Sequence, residues 1–234
     1  MANAKRAGVS KIINIGCDLV SCKKTIEMLT KDECLYSALG MHPYEAEAVN
    51  MALMSEWEKI VAENKRVVAV GECGLDYFKG RVSKDIQKHA FKMQIEFAVK
   101  VGLPLIVHNR EADMDSLRIL DAFGEGLNGV VFHCYGSNLE FAKELWKRGY
   151  LTSFTGIVTY PSALNVVAVV KEIPMNLFMV ETDCSYLAPQ KYRGSTNEPA
   201  YVVEVVKKIA EVKDLSFDEI ANVSTENAMR FFGL

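Results

Sequence analysis

The chain has 234 residues, half of them hydrophobic, with a formal net charge of −3 and a pI near 5.9. That length buries one large core and excludes a fibrous or disordered chain, while the acidic balance argues against a basic coat for broad duplex binding. A nucleic acid would then have to be held by a local patch and a metal.

The chain opens on Ala2-Asn-Ala-Lys-Arg-Ala-Gly8, which has the form of the last turns of a helix with its Gly stop. Val/Ile-rich runs near 11–17, 35–40, 67–72, 104–108, 129–133, 150–155 and 177–183 predict seven strands separated by amphipathic segments. This is the pattern of repeated βα units around a parallel sheet. Val67-Val-Ala-Val70 and Leu105-Ile-Val107 are continuous apolar runs and suit strands buried on both faces.

Residues 83–101 predict a helix with Ile86, Ala90, Met93 and Phe97 on one stripe, Ser83 as N-cap and Gly102 past its end. His89 falls off the stripe beside Lys92, Glu96 and Lys100 and reads as a solvated surface histidine. The longest punctuated loop runs from Ser185 to Pro199. Ser216-Phe-Asp-Glu219 is a capping box opening a last helix that carries Ala228, Phe231 and Phe232 against the core.

No linker or composition break divides residues 1–234, so a single domain is expected. An eight-stranded TIM barrel takes about 250 residues and carries its chemistry on the loops after the strands. The expectation is therefore an α/β TIM (β/α)8-type barrel with seven strands, lacking the first strand and most of the first helix. Such a gap exposes two edges, which favours self-association.

Cys17, Cys22, Cys34, Cys73, Cys134 and Cys184 show no C-x-x-C pair and read as reduced thiols. No apolar run approaches the roughly 18 residues that span a bilayer, and the first residues lack a hydrophobic signal region. A cytoplasmic protein is expected, with nuclear access if the source is eukaryotic, and no membrane partner.

Four apolar runs end on a metal-binding side chain: Glu72 after Val67-Val-Ala-Val-Gly, His108 in Pro-Leu-Ile-Val-His, His133 in Val-Val-Phe-His and Asp183 in Val-Glu-Thr-Asp. Buried polar groups at separate strand ends are costly unless they share a partner, and a barrel gathers strand ends at one mouth. Imidazole mixed with carboxylate suits Zn²⁺, Mn²⁺, Fe²⁺ or Ni²⁺, whereas an all-oxygen cage would point to Mg²⁺ or Ca²⁺. Cys73, Cys134 and Cys184 each follow a proposed ligand, and strand alternation directs them away from the site. Arg110 stands two residues beyond His108, able to fork onto a phosphate. Lys79, Arg81, Lys191 and Arg193 lie on the following loops, where Tyr77 and Tyr192 could stack on a base. Such a site supports hydrolysis, with Asp183 as ligand, general base or both.

Gly40-Met-His-Pro43, Gly71-Glu-Cys-Gly-Leu-Asp-Tyr77, Leu103-Pro-Leu-Ile-Val-His-Asn-Arg110, His133-Cys-Tyr-Gly136, Glu181-Thr-Asp183 and Glu226-Asn-Ala-Met-Arg-Phe-Phe-Gly233 together resemble the TatD family of metal-dependent deoxyribonucleases. The resemblance implies an amidohydrolase-like barrel with divalent metals, one or two per chain (Mg²⁺, Mn²⁺ or Zn²⁺), cutting DNA phosphodiesters as a 3′ exonuclease on single strands or 3′ ends. It makes Glu72 a bridging and catalytic ligand, assigns His108 and His133 to one metal and Asp183 to the other, and puts His42 and Arg110 on the substrate side.

Family members begin with a strand ending in His-x-His, and no histidine precedes His42 here. Either the sequence starts at an internal methionine of a longer gene, or two-metal catalysis has been lost. Hydrolysis of another ester or amide, or binding of nucleic acid or a partner without catalysis, are the alternative functions.

Overall fold

A computed structural model describes residues 1–234, the Glu125 side chain excepted. In chain order the elements are α1 (Ala2–Arg6), β1 (Ile12–Ile15), α2 (Leu19–Met28), β2 (Leu35–Leu39), α3 (Met51–Glu63), β3 (Val67–Asp76), α4 (Lys84–Val101), β4 (Leu105–Arg110) and α5 (Asp113–Asp121). They continue as β5 (Val130–Phe132), α6 (Leu139–Lys147), β6 (Leu151–Phe154), α7 (Leu164–Glu172), β7 (Phe178–Val180), α8 (Val202–Lys213) and α9 (Phe217–Phe232). Seven strands fall on the seven predicted runs and alternate with helices in the α/β TIM manner. Among the described residues no helix is long and apolar enough to cross a membrane. Contacts divide the chain into two compact units, Lys11–Val131 and Met1–Ser10 with Phe132–Leu234.

In the Lys11–Val131 unit, β1 to β4 pair in parallel in sequence order, with Ile12 opposite Leu35, Leu39 opposite Val70 and Asp76 opposite Arg110. Val67, Ala69, Val70, Leu105 and Val107 are at most 3 % exposed, as two-sided burial of a parallel sheet requires.

Two strands run further than the sequence suggests. β3 continues through Glu72 to Asp76 and β4 through His108 to Arg110, so Glu72 and His108 lie within strands rather than at strand ends. The reason is that Gly71 and Gly74 mark close backbone approach instead of a turn. A Cβ at Gly71 would stand 2.6 Å from the Ile106 carbonyl oxygen, and one at Gly74 would stand 2.0 Å from that of His108.

Helix α4 forms as expected. The Ser83 side chain accepts from the Ile86 N–H, and Gly102 closes the helix at φ 70°. Ala90, Met93 and Phe97 are buried while Ile86, in the first turn, is exposed. His89 is exposed.

In the other unit, β6 and β7 pair in parallel, with Thr152 opposite Phe178. Ser216 and Glu219 form the capping box of α9. Its buried face is Ile220, Ser224 and Asn227, not the Ala228, Phe231 and Phe232 predicted, which are half-buried. Asn227 turns inward because its amide donates to the Met175 and Phe178 carbonyls at 2.8 and 2.7 Å, satisfying acceptors at the start of β7. In the loop after β7, the buried Asn197 amide donates to the carbonyls of Thr182 and Tyr186 at 2.7 and 2.6 Å.

Candidate active site

Glu72 sits at an irregularity in β3: two residues lie between Val70 and Cys73, while only one lies between their β4 partners Leu105 and Val107. The extra residue is a bulge, a device that re-aims a side chain without ending the strand. Glu72 Oε1 stands 2.7 Å from His108 Nδ1 and 3.8 Å from His42 Nε2, with the Glu72 side chain 15 % exposed. His42 enters from the turn after β2. Its Nδ1 accepts the Tyr44 N–H at 3.1 Å, and its ring meets that of His108 edge to face at 4.4 Å.

Three residues that sequence reasoning passed over hold this arrangement. Asp76 is 1 % exposed. Its Oδ2 accepts from the Tyr44 hydroxyl at 2.9 Å and lies 3.0 Å from His108 Nε2, while its Oδ1 accepts the Phe78 N–H at 3.0 Å. Burial pushes the Asp76 carboxyl up, but His108, Tyr44 and the Phe78 amide outweigh it and hold it down at about 2.

Gln87 and Gln94, two turns apart on α4 and each 1 % exposed, grip the backbone of the site. The Asp76 N–H donates to the Gln87 side-chain oxygen at 2.8 Å, and the Gln87 amide donates back to the Asp76 carbonyl at 2.9 Å. Gln94 does the same for Met41, next to His42, at 2.7 and 3.1 Å. The available signal was two glutamines set in an otherwise apolar helix face.

The outer edge of this unit alternates cations with aromatic rings. The Arg110 guanidinium lies 3.7 Å from the centre of the Phe78 ring, Arg81 4.8 Å from that of Tyr44, and Lys84 4.2 Å from that of Tyr77. Tyr77 is half-buried, and its hydroxyl donates to Asp115 at 2.8 Å. Burial and the Asp115 carboxylate push that phenol up. Its neighbour Phe78 is the ring left 51 % exposed.

His133 and Asp183 belong to the other unit. His133 Nδ1 lies 3.6 Å from Glu181 Oε2, and Glu181 Oε1 accepts from the Cys134 N–H at 2.7 Å and from the Ser153 hydroxyl. Burial pushes the Glu181 carboxyl up, but His133, Ser153 and the Cys134 amide hold it below its ordinary value. Asp183 lies beyond the end of β7 at Val180, at φ 53° in a loop rather than on a strand end. Aspartate tolerates that left-handed conformation better than most residues. Lys191 pairs with Glu204 at 3.2 Å, Arg193 lies 4.3 Å from the Tyr160 ring centre, and the Tyr192 ring is stacked on Tyr201 at 3.8 Å. Cys73 is buried and Cys134 half-buried, but Cys184 is exposed, because it lies in the loop and not on β7.

A divalent cation fits the Glu72–His108 pair. A carboxylate oxygen and an imidazole nitrogen face one partly exposed point, the mixed donor set that transition metals favour. The ligand atoms of His42, Asp76 and His108 also lie within 4.8 Å of one another.

Comparison with known proteins agrees with this chemistry. The family model described as TatD related DNase matches residues 1–233. The metal-dependent hydrolase YabD of Bacillus subtilis is 41 % identical over 98 % of this chain and 89 % of its own length. A Cronobacter sakazakii protein named 3'-5' ssDNA/RNA exonuclease TatD is 30 % identical over 99 % of this chain and 90 % of its own. The crystal structure of YJJV, a TatD homologue from Escherichia coli, superposes with a TM-score of 0.93 at 26 % identity, covering 100 % of this chain and 90 % of that one. The chain belongs to the TatD family of metal-dependent hydrolases.

Proposed function

We propose that the chain acts as one hydrolase domain, a divalent-metal-dependent deoxyribonuclease that removes nucleotides from 3′ ends of single strands. The observation that carries this reading is the Glu72–His108 pair at 2.7 Å, with Arg110 two residues further along the same strand. The exonuclease name of the Cronobacter sakazakii relative supports the choice of substrate. Glu72, His108, His133 and Asp183 are the proposed ligands. The first two rest on geometry within one unit, and the last two on likeness to the family. When bound, a divalent cation supplies Lewis acidity toward the phosphodiester and toward the attacking water.

The chain's own groups do the rest. The Arg110 guanidinium forks onto the non-bridging phosphate oxygens, stabilising charge as it develops there. An Asp183 carboxylate oxygen takes the proton of the attacking water. His42, whose Nδ1 is committed to the Tyr44 N–H, presents Nε2–H as a donor. The exposed Phe78 face, backed by Arg110, takes the terminal base by stacking, the role the sequence offers to Tyr77 and Tyr192.

Product analysis tests the reading. A 3′-labelled single strand should release mononucleotides, while aryl phosphates, carboxylic esters and amides of similar size turn over far more slowly. Faster turnover of an ester or amide would transfer the site to another hydrolase class, and binding without turnover would mark a binding protein. Phe78→Ala should raise KM for the strand about fivefold or more, since base–aromatic stacking contributes about 1–3 kcal/mol per base. A strand with an abasic 3′ end should show little of that loss.

A further inference from the structure

Asp76 is saturated with hydrogen-bond donors. The Tyr44 hydroxyl, the Phe78 N–H and His108 Nε2 all address it within 3.0 Å, only 1 % of the residue is exposed, and Gln87 fixes its backbone from both sides. A carboxylate enclosed this way is a fixed anion, not a ligand open to a cation. Glu72 differs. It stands on a bulge with its side chain 15 % exposed, and Oε1 faces His108 Nδ1 at 2.7 Å. His42 does not compete for the cation, because Nδ1 accepts the Tyr44 N–H and the neutral ring therefore carries its proton on Nε2. So the His42, Asp76 and His108 group, though close enough for a metal, has the wrong occupancy of lone pairs for one.

Resting on His108 as a metal ligand, we propose that Asp76 is a positioning residue: it holds His108 in the Nε2–H tautomer and turns the Nδ1 lone pair toward Glu72 and the cation they share. Ligating imidazoles commonly give their second N–H to a carboxylate, which fixes ring orientation and raises ligand basicity. The other unit holds a looser counterpart: Glu181, anchored by the Cys134 N–H and the Ser153 hydroxyl, has Oε2 3.6 Å from His133 Nδ1. In both units the histidine that would hold metal is matched with a carboxylate that is itself tied to a backbone N–H and a hydroxyl.

Histidine ¹⁵N resonances of the Zn²⁺-loaded protein should show His108 metal-bound at Nδ1 and protonated at Nε2. Asp76→Asn removes the charged acceptor of that Nε2–H, and Zn²⁺ affinity should fall about 10–100-fold. Tyr44→Phe, which removes one donor to Asp76 without altering its charge, should weaken Zn²⁺ in the same direction by less and serves if Asp76→Asn does not fold. Zn²⁺ bound at His108 Nε2 in the wild type, or variants that leave the Zn²⁺ affinity unchanged, would overturn the proposal. Both readouts are taken without substrate, so the proposal stands or falls separately from the nuclease reading. Loss of Zn²⁺ in His108→Ala but not in Asp76→Asn would sink the Asp76 role alone.

Discussion

Replacing His108 with alanine is expected to remove tight divalent-metal binding and lower hydrolysis by about 10³-fold or more. The imidazole is the hub of the site: Nδ1 faces Glu72 at 2.7 Å and Nε2 faces Asp76 at 3.0 Å. Without it Glu72 keeps a carboxylate but loses the nitrogen donor that favours a transition metal. A Lewis acid contributes several kcal/mol to transition-state stabilisation, and each 1.36 kcal/mol is a factor of ten in rate. Metal content by mass spectrometry, read beside the hydrolysis rate, checks both halves. Undiminished metal and rate in this variant would mean that the chemistry lies elsewhere in the chain.

The second large effect is structural. Gly74→Ala should destabilise the fold by about 4 kcal/mol or more, or prevent soluble expression, because two costs coincide. At φ 144° an L-residue is strained, and its Cβ would lie 2.0 Å from the His108 carbonyl oxygen, a backbone atom that cannot swing aside. Any relief would push apart β3 and β4, the strands that carry Glu72 and His108. Gly80→Ala is the control. Its φ is 57° with no atom within 4 Å of the added Cβ, so it should cost only about 1–2 kcal/mol. Equal effects of the two substitutions in urea unfolding would show that strand proximity is not what Gly74 serves.

These two positions show what the sequence could and could not reveal. The strands were readable because a parallel strand buried on both faces is a continuous apolar run, as in Val67–Val70 and Leu105–Val107. Helix α4 was readable because Ser83 and Gly102 carry its termini. The extents of β3 and β4 were not readable, since glycine signals either a turn or close approach, and only the neighbouring strand decides which. Asp76, Gln87 and Gln94 escaped notice because their partners are backbone groups and rings distant in sequence, 53 residues away for Gln94 and Met41.

Tyr77 and Phe78 illustrate the same limit at finer scale. Adjacent aromatic residues have equal claim to a stacking role until Asp115 and Lys84 are seen to occupy the first. Val-Glu-Thr-Asp extends an apolar run and so predicts a strand end at Asp183, yet pairing stops at Val180 and the chain turns into a left-handed loop. Nothing in that run marks Glu181, which lies 3.6 Å from His133.

The most direct test is hydrolysis of a 3′-labelled single strand by the whole chain after stripping with a chelator, followed by stepwise return of Mn²⁺. The stripped protein should be inactive, mononucleotide release should return in proportion to bound Mn²⁺, and His108→Ala should not recover. Release that continues undiminished after stripping, or that returns equally in His108→Ala, would contradict metal-dependent hydrolysis at this site.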